Sequence, residues 1–302
     1  MTQNDTYLNL LASYAYLGPN KDFTDSFFGL HRSGKANAMI DCGAFTLHNA
    51  KQAREWLTLD NYCDFLGTWG DCCEKYVMLD VVGNAPQSKA NYEVMVRRGF
   101  RPMFVLTMFD KEWDYVRQTM GVNEDICVAG GVTVKNDWLI KRFQDTVRYT
   151  DGRAKIHGLG YVTFPNIIRA PIVSGDSSSW IAQPQRFGCV NVFVPGKGLK
   201  AQLYKEIWAG KKMLPEMKTM LNEIEVTPAE FVDKRNHTGS ASIGTLSSII
   251  SYIGYSKYVY RYNRRLFLAV TSKLNLDMIN YVLDRSCHVS YSAFKREFKK
   301  TQ

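Results

Sequence analysis

Through its first two-thirds the chain alternates short, unbroken apolar runs with longer stretches in which apolar residues recur at helical spacing. The runs fall at 11–18 (LASYAYLG), 37–43 (NAMIDCG), 75–82 (KYVMLDVV), 102–108 (PMFVLTM), 125–131 (DICVAGG), 155–161 (KIHGLGY), 170–176 (APIVSGD) and 188–194 (GCVNVFV). Runs that stay apolar on successive residues suit strands covered on both faces, the condition of a parallel sheet flanked by helices. Between them, 53–69 and 88–99 carry apolar residues at i, i+3 and i+4, and the second stops at Gly99. The stretch 111–121 stops at Gly121, and 136–152 opens on Asn-Asp and closes on Asp-Gly. Eight strands, most of them separated by helices, predict an α/β fold of the (β/α)8, TIM-like barrel type. A doubly wound open sheet is the alternative, but neither of its phosphate-binding fingerprints, GxGxxG or GxxxxGK[ST], occurs.

The pattern changes after residue 194. PGKGLK (195–200) reads as a basic, glycine-bearing loop, and 202–224 as a helix interrupted at Pro215. The small polar residues of 237–248 read as a hinge. The stretch 251–270 then interleaves Tyr252, Tyr255, Tyr258, Tyr260 and Tyr262 with Lys257, Arg261, Arg264 and Arg265, and the tail 295–300 is again basic. The division this suggests is a catalytic barrel over 1–195 and a basic, mainly helical region over 196–302 that completes the barrel and binds nucleic acid.

Charge sharpens that division. Residues 1–194 hold 20 Lys and Arg against 20 Asp and Glu, whereas 195–302 hold 18 against 9, so the whole net charge of +9 lies in the last third. A polyanion is the simplest partner for such an asymmetry. Lys197, Lys200, Lys257, Arg261, Arg264 and Arg265 are the candidate phosphate contacts, with the interleaved tyrosines available for stacking. An amphipathic helix with its tyrosines turned to the barrel is the other reading of the same stretch. No apolar run approaches the ~20 residues that span a bilayer, so no membrane role is expected. The opening MTQNDTYLNLL lacks a basic n-region, and a cytoplasmic location is expected. The seven cysteines include no CxxC pair and read as reduced thiols, so no metal site is expected of them; no cofactor is expected either, because carboxylates would do the chemistry.

The candidate chemistry sits at strand ends, where parallel α/β folds carry their sites. Asp176 is followed by Ser177, Ser178 and Ser179, whose donors would hold a carboxylate in place as a nucleophile; a helix-capping turn before Trp180 is the alternative. Asp41, before Cys42-Gly43-Ala44, is a candidate acid/base or acceptor from a heterocycle, or else a helix cap. Asp80, in LDVVGN, belongs either to the same pocket or to a turn. Gly130, Gly131, Gly158 and Gly160 are placed to offer bare backbone to a planar ligand, or simply to make tight turns. His157, inside an apolar run, reads as a core histidine bonded to backbone.

The joint order DCGAFT, LDVVGN, AGG, HGLGY and VSGDSSSW resembles the tRNA-guanine transglycosylase superfamily over about residues 11–195, most of all its short branch of phage and DNA-modifying 7-deazaguanine transglycosylases. The resemblance implies a (β/α)8 barrel and the exchange of guanine for a 7-deazaguanine (preQ0-type) base, in DNA or, as the alternative, in tRNA. It implies that Asp176 attacks C1′, that Asp41 moves the proton, that Asp80 reads the Watson–Crick edge, and that Gly130 and Gly131 meet the base through the backbone. Homodimers are common among the tRNA-acting relatives. The chain departs from the pattern at Cys42, where Ser is usual, and at Gly175, where Val or Ile is usual. It also has LTM (106–108) in place of a base-reading glutamine, and it lacks the CxCxxC of the tRNA enzymes' zinc site. Two readings from other classes remain: a catalytically silent nucleic-acid-binding subunit, and a sugar-processing barrel with paired carboxylates.

Overall fold

The computed structural model describes residues 8–48, 55–107, 113–130 and 135–298. The chain divides into two compact units, one of Met1–Val162, Asn166–Ser177 and Tyr262–Lys273, the other of Thr163–Pro165, Ser178–Arg261 and Leu274–Gln302. Ten strands occur among the described residues: β1 (Asn9–Ser13), β2 (Asn37–Asp41), β3 (Lys75–Tyr76), β4 (Phe104–Leu106), β5 (Asp125–Val128), β6 (Lys155–Gly158), β7 (Ser174–Ser177), β8 (Cys189–Val194), β9 (Gly198–Leu203) and β10 (Arg265–Val270).

Eight of these strands make the parallel sheet of the first unit, in the order β3-β2-β1-β10-β7-β6-β5-β4. Its two edges are joined: Val77 pairs with Met103, and the Met78 N–H donates to the Met103 carbonyl at 3.0 Å while the Met103 N–H donates to that of Tyr76 at 2.9 Å. The ring can be traced through Leu11–Met39, Met39–Lys75, Val77–Met103, Phe104–Ile126, Ile126–Ile156, His157–Ser174, Ser174–Arg265 and Phe267–Asn9. The register then returns to β1 displaced by eight residues. A parallel ring of eight strands with a shear of eight is the geometry of a TIM-like barrel. The unbroken apolar runs have the expected consequence, since all five residues of β1 and the central three of β2 are buried. Helices cover the ring from outside. Lys21–Arg32 buries Phe23, Phe27 and Phe28 and starts at Asn20, whose side chain accepts from the Phe23 N–H. Asn136–Tyr149 buries Leu139, Phe143 and Thr146.

Three sequence readings are corrected here. The run 11–18 is not one strand, because β1 ends at Ser13, whose hydroxyl caps the short helix Tyr14–Leu17. The run 188–194 is a strand but not the eighth of the barrel. It pairs antiparallel with β9 as a hairpin of the second unit, and the basic loop 195–200 is its turn and the start of its second strand. The eighth barrel strand is β10, whose apolar stretch Leu266–Val270 is flanked by the tyrosines and arginines that made the region read as a nucleic-acid contact. The chain between the seventh and eighth barrel strands is therefore residues 178–264, most of it the second unit.

In that unit the small-residue stretch is no hinge. Ser242 caps the helix Ile243–Tyr260 by accepting from the Thr245 N–H, and Thr245, Ser247 and Ser248 are buried within it. Small side chains are what permits the helix to sit so close: a Cβ on Gly244 would lie 1.7 Å from the Tyr204 hydroxyl. Tyr252 and Tyr255 are buried in this helix's packing against β8, where the Asn191 amide donates to the Tyr252 hydroxyl at 3.1 Å. The expected boundary at 195/196 falls inside the β8–β9 turn.

Candidate active site

Asp41 and Asp176 come together because of the barrel's shear. Followed through register, Asp176 on β7 leads to Phe267, then Asn9, then Asn37 on β2. A drift of about one residue per strand over three strands places the position of equal height near Ile40, next to Asp41. Both carboxylates stand at the C-terminal ends of their strands.

Their settings differ. Asp176 receives both of its donors on one oxygen: the Gly160 N–H at 2.7 Å and His157 Nε2 at 3.2 Å both reach Oδ1. Among the described residues none reaches Oδ2. A carboxylate only accepts, so Nε2 carries the histidine proton, and Nδ1 lies 2.8 Å from Ser174 Oγ. His157 is 1% and Asp176 14% exposed, so the hydrogen bond is made with little water around it. Asp41 accepts from the Gly43 N–H at 3.0 Å on Oδ2 and from Ser13. Gly43 reaches it from φ +91°, where a Cβ would lie 2.7 Å from both Ser13 Oγ and Ala15 Cβ, so glycine is required. Burial first, then the charge of Asp176, and least that of Asp80, push the Asp41 carboxyl up to about 6, against the pull of Gly43 and Ser13. Among the described residues no lysine or arginine pairs with Asp41 or Asp176.

Asp80 is the third carboxylate. The Ser88 hydroxyl donates to its Oδ1 at 2.7 Å from the helix Ala85–Arg97, fixing it just past β3. Two buried thiols feel these charges and stay protonated. Burial, then Asp41, raises Cys42 well above its ordinary value, and burial, then Asp41 and Asp176, does the same to Cys127.

The other expected site residues fall in several places. Gly160 belongs to the site through its N–H. Gly158 closes β6, where a Cβ would lie 2.9 Å from that of Tyr161. Gly130 lies two residues past β5 at φ +127°; Gly131 lies outside the described residues. Gly175 has a local reason to be glycine: a Cβ there would lie 1.9 Å from the Tyr161 carbonyl oxygen. Lys197 and Lys200 are exposed on the β8–β9 hairpin, and Lys257 and Arg261 are exposed at the end of the helix Ile243–Tyr260. Arg264 and Arg265 belong instead to the barrel unit. Arg265 starts β10, at the strand end opposite the carboxylates, and is engaged by Asn9 Oδ1 at 2.8 Å and by both oxygens of Glu74.

His157 and Ser174 are the residues the sequence reading missed, since His157 bonds two side chains rather than backbone. Ser174 registers with His157, and Asp176 lies two residues beyond Ser174 on the same strand face, which brings the three together.

No family model matches the chain, and no curated protein does. A solved structure with some likeness is the spore coat polysaccharide biosynthesis protein SpsE of Bacillus subtilis, at 9% identity and a TM-score of 0.33, over 96% of this chain and 72% of that one.

Proposed function

We propose that the chain is a nucleic-acid base-exchange transglycosylase that replaces guanine with a 7-deazaguanine base, in DNA. The observation that carries this is the unlike pair of carboxylates at one barrel mouth. Asp176 has Oδ1 occupied by two donors and, among the described residues, none on Oδ2, and Asp41 beside it holds its proton up to about pH 6. Two carboxyl groups whose settings are pushed apart are the equipment of a nucleophile and an acid/base.

Asp176 Oδ2 gives its electron pair to C1′ of the target nucleotide, and the C1′–N9 bond breaks with its pair moving into the leaving guanine. Protonated Asp41 supplies the proton that the leaving base takes up. The covalent glycosyl–aspartate divides one difficult substitution into two easier ones. In the second half, N9 of the incoming base attacks C1′, the C1′–Oδ2 bond breaks, and ionised Asp41 removes the N9 proton. Asp80, held by Ser88, supplies an acceptor for the donor edge of a guanine-like base. The polymer is addressed by charge: residues of the second unit hold 16 Lys and Arg against 9 Asp and Glu, +7 of the chain's +9.

The test is incubation of guanine-containing DNA, and in parallel tRNA, with the protein and a free 7-deazaguanine base, followed by digestion to nucleosides and mass analysis. Replacement of deoxyguanosine in DNA is expected, and replacement in tRNA alone moves the substrate but keeps the chemistry. Two blank arms end the base-exchange reading.

A further inference from the structure

The buried pair His157–Ser174 has no part in the reaction as written above, yet it touches the attacking residue. We infer that His157, held by Ser174, is a positioning residue that pins Asp176 by Oδ1 and so makes Oδ2 the atom that attacks. The kinetic side of this rests on the base-exchange reading, while the hydrogen-bond arrangement itself does not.

The geometry leaves the imidazole little freedom. Its ring is 1% exposed, stands edge-on to Phe267 with centroids 5.6 Å apart, and has a hydrogen-bonding side chain at each nitrogen. Ser174 is itself buried, so its hydroxyl proton has Nδ1 as its partner, and that bond commits the other nitrogen to carry N–H toward Asp176. The Gly160 N–H approaches the same oxygen from the loop after β6. Two donors on one oxygen fix the carboxylate's rotation about its Cβ–Cγ bond, which neither does alone.

The arrangement also serves both half-reactions without changing. When Oδ2 bonds to C1′, the aspartate becomes an ester, its charge leaves, and Oδ1 becomes the ester carbonyl oxygen, still accepting from Gly160 and His157. When the incoming base displaces Oδ2, the negative charge returns to a carboxylate whose donors are already in place. Such preorganised donors accelerate the step in which charge develops. No proton moves at His157 in either half.

Two measurements decide it. In single-turnover formation of the covalent protein–oligonucleotide adduct, His157→Phe keeps a ring but removes the donor, and His157→Gln returns an N–H near the former Nε2. The Phe variant is expected to form adduct roughly 100-fold more slowly with KM little changed, the cost of misplacing a reacting group by about 1 Å. The Gln variant is expected to recover at least tenfold of that. Adduct formation by the Phe variant at the wild-type rate, or a loss confined to KM, overturns the inference. Independently of any substrate, ¹⁵N-resolved spectra of the imidazole are expected to show the Nε2–H tautomer, with that proton's downfield shift lost in Asp176→Ala. An Nδ1–H tautomer overturns the inference even if exchange is observed. Wild-type protein that forms no adduct ends the base-exchange reading, and the imidazole spectrum still decides whether His157 pins Asp176.

Discussion

Asp41→Asn separates the cost of the site's design from its chemistry. Asp41 is raised from 3.8 to about 6, chiefly by burial and next by Asp176. Holding that proton about 100-fold more tightly is worth ~3 kcal/mol, at ~1.4 kcal/mol per tenfold. The sign follows from proton linkage: the folded protein holds the Asp41 proton more tightly than the unfolded chain. Stability from this group is therefore whole below pH ~4 and falls away as pH rises through about 6. Asparagine does not ionise, and its carbonyl still accepts from the Gly43 N–H. The variant should match wild type near pH 3.5 and exceed it by up to ~3 kcal/mol above pH 7. With a urea slope of about 2–3 kcal/mol/M, the midpoint moves by about 1 M. Urea titrations followed by tryptophan fluorescence at pH 3.5, 5, 6 and 7.5 give the difference directly. A difference that does not vary with pH, or a less stable variant at pH 7.5, refutes the assignment of Asp41 as a buried carboxyl ionised at a cost. Asp176→Asn, which removes the neighbouring charge, should shrink the same pH dependence.

Gly175→Ala forces a Cβ against the Tyr161 carbonyl oxygen and should cost roughly 2–4 kcal/mol, read as a fall in calorimetric Tm; a neutral result means β7 stands farther from that carbonyl than the 1.9 Å Cβ approach implies. Asp125→Ala leaves Lys75, 16% exposed and 2.7 Å from its partner, without a counter-charge, and should cost about 1–3 kcal/mol in urea unfolding. Exchange needs Asp41 protonated in one half-reaction and ionised in the other, so the exchange rate should peak near pH 6 and fall on both sides; a rate still climbing at pH 8 removes Asp41 from the proton transfer.

The parts of this protein that were legible in its sequence are those set by local pattern. Unbroken apolar runs marked the strands because a barrel strand is covered on both faces, and the three aspartates stood out because each follows such a run. Pattern could not say which run pairs with which. The runs at 188–194 and 265–270 are equally apolar, but one turns back through Gly196 and Gly198 into a hairpin while the other closes the ring between β1 and β7. The helix Ile243–Tyr260 was hidden for a different reason. It is buried nearly all round, so it shows no polar face, and its first turns use Ser and Thr where tight packing excludes larger side chains. His157 escaped because its partners depend on register, which brings residues 157 and 174 side by side across 17 positions of chain. The tyrosines of 251–262 divide by the same logic. Tyr252 and Tyr255 are core, whereas Tyr260 and Tyr262 are 37% and 46% exposed.

The central claim is that Asp176 becomes covalently attached to the sugar of a nucleic-acid substrate. Acid quenching of the protein with a guanine-containing DNA strand, without incoming base, followed by digestion and peptide mass mapping, tests it directly. The account predicts a nucleotide-bearing peptide with the modification on Asp176, absent from Asp176→Ala and present in Asp41→Asn only at reduced rate. No adduct with DNA or tRNA, or an adduct carried by Asp41 instead, contradicts it.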